Sequence, residues 1–145
     1  MGGKYIYYRK LSFKSDIKSL EKFLNISERI FKSFSKSKKS LYKYIISLDE
    51  IFTNCIIHGY KNRQGVIEVE YKVYKNWIIT DISDNGVGIR KELTGSLEFL
   101  KENKYRKIKE KIGYGLTITS YLADKVIVGK KIDGGTKVSL YFIIK

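Results

Sequence analysis

The chain has 145 residues, 43% hydrophobic and 30% charged, the proportions of a folded globular protein rather than a disordered one. No apolar run reaches the length of a membrane helix, and the start MGGKYIYYRK has no signal-peptide core. A single cysteine, Cys55, excludes a disulfide within the chain, so the expectation is one cytoplasmic domain over residues 1–145, away from any membrane.

Residues 4–13 alternate weakly and are rich in Tyr and Ile, which suits a strand at a sheet edge. Ser15 or Asp16 can cap a helix whose apolar stripe runs Leu20, Phe23, Leu24, Ile30, Phe31 and Phe34, spaced at three and four. Ser35 to Ser40 reads as a polar connection, and a second helix is predicted from about Ser40 to a stop at Gly59. Ile67, Val69, Tyr71 and Val73 alternate with Glu68, Glu70 and Lys72, a strand with one buried face. Lys75-Asn76 turns into a partner strand, Trp77 to Ser83, which brings Asp84 out at its end on the face of Ile78 and Ile82.

Arg90 to Lys111 is rich in lysine, with a short helix predicted over Ser96 to Lys101. After Gly113 and Gly115 comes a helix, Leu116 to Ala123. Strands Lys125–Gly129 and Thr136–Ile144 follow, joined by a turn at Asp133-Gly134-Gly135. No internal repeat or linker divides the chain.

The net charge of +14 is the strongest compositional feature. Its lysines are scattered, with loose clusters at 36–43 and 101–111, and no aromatic-plus-basic signature of the RRM type is present. The charge therefore reads as that of a lysine- and isoleucine-rich composition, and nucleic acid is not the expected partner.

Chemistry concentrates in the second helix, within LDEIFTNCIIHGYK. At helical spacing Glu50, Asn54 and His58 fall at i, i+4 and i+8, with Lys61 about a turn beyond, while Leu48, Ile51, Phe52 and Cys55 form the buried stripe. A carboxylate can take a proton, an amide oxygen can ligate a hard cation such as Mg²⁺, and imidazole and ammonium groups can meet phosphate oxygens. Three glycine clusters follow. Asp84-Asn85-Gly86-Val87-Gly88 lets the backbone turn sharply beside a flat ligand, with Asp84 placed to accept from an exocyclic amine. Gly113-Tyr114-Gly115-Leu116 opens a helix, whose free N–H groups favour phosphate. Gly134-Gly135-Thr136 starts the last strand, and the threonine hydroxyl can hydrogen-bond a ring nitrogen or a water. The P-loop and GxGxxG patterns are absent, as is any Cys/His cluster with metal-ligand spacing.

ExxxN on a helix, DxGxG after a strand, GxGL before a helix and GGT before a strand, in that order, resemble the motif set of the GHKL ATPases. That family includes histidine kinases, gyrase and MutL. Within it, TNCIIHGY is similar to the corresponding box of bacterial anti-sigma factor serine kinases. The resemblance covers about Leu48 to Ile144. It implies an α/β two-layer sandwich of the Bergerat type, with a mixed, largely antiparallel sheet covered on one face by helices and ATP between the layers. By position, Glu50 resembles the general base and Asn54 the Mg²⁺ ligand. His58 and Lys61 occupy places that contact phosphates. Asp84 resembles the adenine acceptor, Gly86, Gly88 and Thr136 line the base, and Gly113, Tyr114, Gly115 and Leu116 form the triphosphate nest. Arg90 to Lys111 resembles the lid. Lys111 stands where the kinases often carry arginine, so a γ-phosphate would meet a point charge rather than a bidentate fork.

The implied activity is serine/threonine phosphorylation of an anti-sigma factor antagonist by a sigma-binding protein, with ATP and Mg²⁺ as cofactors and a homodimer as the assembly. Two alternatives stay open. One is the catalytic domain of a two-component histidine kinase lacking its own acceptor, since the only histidine is His58. The other is a non-catalytic, ATP-dependent binding module.

Overall fold

Alternating apolar and polar residues build the sheet, and stripes spaced at three and four build the layer that covers it. The computed structural model describes residues 3–86, 95–96, 115–132 and 134–144. Strands β1 (Tyr7–Lys14), β2 (Val66–Val73), β3 (Trp77–Asp84), β4 (Gly95–Ser96), β5 (Lys125–Lys130) and β6 (Thr136–Ile143) lie in the order β1-β2-β3-β6-β5-β4. Every pairing among them is antiparallel, so the largely antiparallel expectation holds and the described residues contain no parallel pair. Gly95–Ser96 is a short strand against β5 where the sequence suggested a helix from Ser96; the rest of that stretch lies outside the described residues.

Helices α1 (Ile17–Phe34), α2 (Lys38–Asn54) and α3 (Gly115–Leu122) supply the other layer. Asp16 caps α1, its carboxylate accepting the Ser19 N–H at 2.8 Å. The start of α2 falls earlier than the sequence suggested. Ser37 caps it by accepting the Ser40 N–H at 3.1 Å, which winds a first turn of Lys38, Lys39 and Ser40 before the apolar stripe begins.

The core lies between the layers. Ile67, Val69, Tyr71 and Val73 from β2 and Val138, Leu140 and Phe142 from β6 are buried against Phe23 and Phe31 of α1 and Leu48, Ile51 and Phe52 of α2. Phe23 and Phe52 stack with ring centroids 4.8 Å apart, and Phe13 meets Phe23 edge-on at 5.5 Å.

Two hydrogen bonds cross this apolar layer. The Ser27 hydroxyl donates to the Phe23 carbonyl at 2.7 Å, which leaves its oxygen to accept from the Tyr71 phenol at 2.6 Å. Tyr44 on α2 meets Thr80 on β3 at 2.7 Å, both fully buried. Removing one partner strands the other without water. Tyr44→Phe is therefore expected to lower unfolding free energy by about 1–3 kcal/mol in denaturant titrations. Adding Thr80→Val should recover most of the loss, since both polar groups are then gone. Equal stability of wild type and Tyr44→Phe would show that the bond contributes nothing net.

The outer sheet face is polar. There Asp81 is almost fully buried, with its Oδ2 2.6 Å from Lys72 Nζ and 3.6 Å from Lys137 Nζ. No helix among the described residues is long and apolar enough to cross a membrane.

Candidate functional site at the end of the second helix

Glu50 and Asn54, four residues apart on α2, share one face of a regular α-helix, and both are half-buried. No hydrogen bond or ion pair among the described residues engages either side chain. The neighbouring Asp49 differs: it is exposed, and its carboxylate accepts the Thr53 hydroxyl at 3.1 Å. A free carboxylate and a free amide oxygen thus stand one turn apart, and the adjacent acid is already occupied.

Beyond Asn54 the helix widens. Cys55–Gly59 form a π turn in which the Tyr60 N–H reaches the Cys55 carbonyl at 2.9 Å. The regular α-helix that carries Glu50 and Asn54 ends here, so His58, exposed in the wider turn, lies outside it. The true stop comes after Gly59: Lys61 and Asn62 take left-handed φ values of 51° and 62°, and the Asn62 N–H closes on the Ile56 carbonyl at 2.9 Å. Lys61, exposed in that turn, lies outside the regular helix too.

The π turn delivers Gly59 to the end of β3. Asp84 there is 5% exposed and pairs across the sheet with Thr136, itself 9% exposed; both face the helical layer. The Asp84 Oδ1 accepts the Gly86 N–H at 2.9 Å, and no cation among the described residues pairs with the carboxylate. Three glycines permit the packing around it. A methyl on Gly59 would come 3.0 Å from Asp84 Oδ2, one on Gly86 would run into the Gly59 carbonyl, and one on Gly135 would run into the Asp84 carbonyl. Gly135 also needs a positive φ, 84°.

The Cys55 thiol lies below this carboxylate. Burial, reinforced by the charge of and a hydrogen bond with Asp84, pushes its pKa well above the ordinary value, so it stays a thiol. Tyr60 donates its phenol to the Val66 carbonyl at 2.5 Å and accepts the Asn85 N–H at 2.8 Å. Burial raises its pKa above the usual phenol value, the Asn85 bond opposing and the Asp84 charge adding. Lys131, from the β5–β6 turn, donates to Asn85 Oδ1 at 2.6 Å.

On the third helix, Gly115 opens α3 and Leu116 is buried in the core. Thr117, in the first turn, is 8% exposed, and its hydroxyl has no partner among the described residues. Gly88, Lys111, Gly113, Tyr114 and the stretch from Arg90 to Lys111, apart from Gly95 and Ser96, lie outside the described residues.

Sequence reading missed Cys55 as a neighbour of Asp84, and it missed Tyr60, Asn85, Lys131 and Thr117. Cys55 and Tyr60 inside the TNCIIHGY box, Asn85 inside DNGVG and Thr117 directly after GxGL carried a local signal, and Lys131 carried none.

These groups suit a nucleotide. Asp84 keeps acceptor capacity for an exocyclic amine, and the glycine approaches leave room for a flat base. An orphaned hydroxyl in the first turn of a helix suits phosphate oxygens. No cluster of three or more His, Cys, Asp or Glu among the described residues could cage a metal unaided. Asn54 could hold Mg²⁺ only together with a ligand's phosphates, the usual arrangement for that ion.

A family model described as a histidine kinase-like ATPase domain matches residues 13–142. An anti-sigma F factor of Clostridium botulinum (strain Eklund 17B) is 33% identical over 95 residues, 65% of this chain and 64% of that protein. One from Thermoanaerobacter sp. (strain X514) is 30% identical over 94 residues, again 65% of this chain and 64% of the relative. The matched stretch thus spans just under two thirds of these relatives. In fold, the chain is similar to the crystal structure of the RsbU and RsbW domains of a Mycobacterium tuberculosis protein. The TM-score is 0.67 at 12% identity, with 96% of this chain and 33% of that chain covered. With the glycine approaches, the free Glu50–Asn54 pair and the antiparallel sheet in place, the chain belongs to the family of histidine kinase-like ATPase domains.

Proposed function

We propose that the chain is a single-domain, cytoplasmic serine/threonine protein kinase of the anti-sigma factor type, using Mg-ATP to phosphorylate an antagonist and binding a sigma factor. The Glu50 carboxylate, unengaged among the described residues, one turn from Asn54 and on the helix that runs to Asp84, is the observation that carries it. The names of the relatives supply the class of partner.

Mg-ATP supplies the transferable phosphoryl group and neutralises its charge. Asp84 accepts from the adenine amine, while Gly86, Gly88 and Thr136 line the base. Asn54 gives its amide oxygen to the metal. His58, Lys61, Tyr114, Leu116 and the backbone at Gly113 and Gly115 flank the triphosphate, with the Thr117 hydroxyl beside them. Glu50 takes the proton of the acceptor serine as its oxygen bonds to the γ-phosphorus and the bond to the ADP oxygen breaks. Lys111 offsets charge on the γ-phosphoryl group. His58, in the π turn directly after Asn54, is read here as a phosphate contact of the nucleotide site and not as an acceptor on a separate dimerisation helix, so self-phosphorylation on histidine has no place in this scheme. A homodimer is the proposed assembly.

The test is incubation with γ-labelled ATP and the host's soluble proteins, followed by mapping of the labelled residue. The expected product is phosphoserine or phosphothreonine on one partner, dependent on Mg²⁺. Phosphohistidine on a separate protein would instead favour the two-component reading. ATP-dependent capture of a partner without label would favour a binding module.

A further inference from the structure

Tyr60 joins the start of β2 to the end of β3 through a single atom. Its phenolic oxygen donates to the Val66 carbonyl at the start of β2 (2.5 Å) and accepts the Asn85 N–H at the end of β3 (2.8 Å). Its ring packs over Gly65, where an added methyl would clash with it. The residue itself is set by the π turn, since its N–H is the one that closes on the Cys55 carbonyl. A change in the π turn that moves Cys55 and Gly59, both against Asp84, therefore moves Tyr60 too.

The backbone after a strand end has no ladder partner of its own and must find one elsewhere. Here Tyr60 supplies the acceptor for Asn85, and Lys131 holds the Asn85 side chain from the opposite side. Asp84, one residue earlier, can then keep its carboxylate aimed while it accepts the Gly86 N–H and the Cys55 thiol.

We propose that Tyr60 is a positioning residue for base selection: its hydroxyl fixes the β3 end so that Asp84 presents an acceptor to a 6-amino purine and rejects a 6-oxo purine. This rests on the reading of Asp84 as the base acceptor. A 6-oxo group carries lone pairs where adenine carries N–H, so a fixed carboxylate repels it, whereas a carboxylate free to swing by an ångström does not.

The experiment measures affinities for Mg-ATP and Mg-ITP in wild type, Tyr60→Phe, Asp84→Asn and the double variant, with thermal unfolding followed in parallel. Wild type should prefer ATP by about a hundredfold, the upper worth of one hydrogen bond to a charged group. In Tyr60→Phe that preference should drop to about tenfold or less, through weaker ATP binding and relieved repulsion of ITP. Because Tyr60 acts through Asp84, the double variant should be no less selective than Asp84→Asn alone. A purely structural role would weaken both nucleotides equally and leave their ratio intact, and that result would overturn the proposal. Wild-type protein with no preference for ATP would overturn the Asp84 reading itself, and this inference with it. A selective wild type with an equally selective Tyr60→Phe would overturn only the role of Tyr60.

Discussion

Glu50→Gln is expected to bind Mg-ATP within about threefold of wild type and to transfer phosphate two to four orders of magnitude more slowly, roughly the worth of a positioned general base. The substitution is nearly isosteric and sits mid-helix on a half-buried face, so α2 and its buried stripe should be untouched. What it removes is the ability to take the serine proton as the new bond forms. Single-turnover phosphorylation of the partner, with ATP affinity measured on the same samples, separates the two effects. Asp49→Asn is the control: that carboxylate is exposed and bonded to Thr53, and its loss should change the rate by less than about twofold. Transfer by Glu50→Gln at the wild-type rate would place the base elsewhere.

Asn54→Ala should act on the other half of the reaction coordinate. It removes the one neutral oxygen ligand that α2 offers to a cation, and the described residues hold no His/Cys/Asp/Glu cluster to replace it. Loss of Mg-ATP affinity by about a hundredfold or more is expected, with metal-free ATP binding little changed. Alanine is the better helix former, so any loss of binding will not come from helix weakening. Equal loss with and without Mg²⁺ would show that Asn54 contacts the nucleotide and not the metal.

The distinction between Glu50 and Asn54 was legible before the fold, because both lie within a regular α-helix where i and i+4 share a face. The end of the regular α-helix at Asn54, short of His58 and Lys61, was not. Nothing in the residues CIIHG favours an i→i+5 bond over i→i+4; the widened turn is set by tertiary partners, above all Gly86 and Asp84 arriving from β3. Gly59 looked like a helix stop, yet it is there for close approach, and the left-handed turn falls on Lys61 and Asn62.

Strand β2 announced itself by alternation with one buried face, and Asp84 followed from the parity of Ile78 and Ile82. Its register with Thr136 could only come from the sheet, since the two are far apart in sequence. The same holds for the Tyr60–Asn85 and Lys131–Asn85 bonds, which join segments no local pattern connects. The start of α2 was misplaced for a simpler reason. Its first turn is lysine and serine, without the apolar spacing that marks the rest, so only the Ser37 cap shows where it begins.

The claim at the centre is that Asp84, at the buried end of β3, reads adenine in a Mg²⁺-dependent nucleotide site. Calorimetric titration of the full chain with ATP, in Mg²⁺ and in excess chelator, and with ITP in Mg²⁺, tests it directly. One saturable site is expected for Mg-ATP, weakened at least about tenfold by chelation and about a hundredfold by the amine-to-oxo change in the base. Saturable binding of Mg-ITP as tight as that of Mg-ATP, or no saturable binding of either, would contradict it.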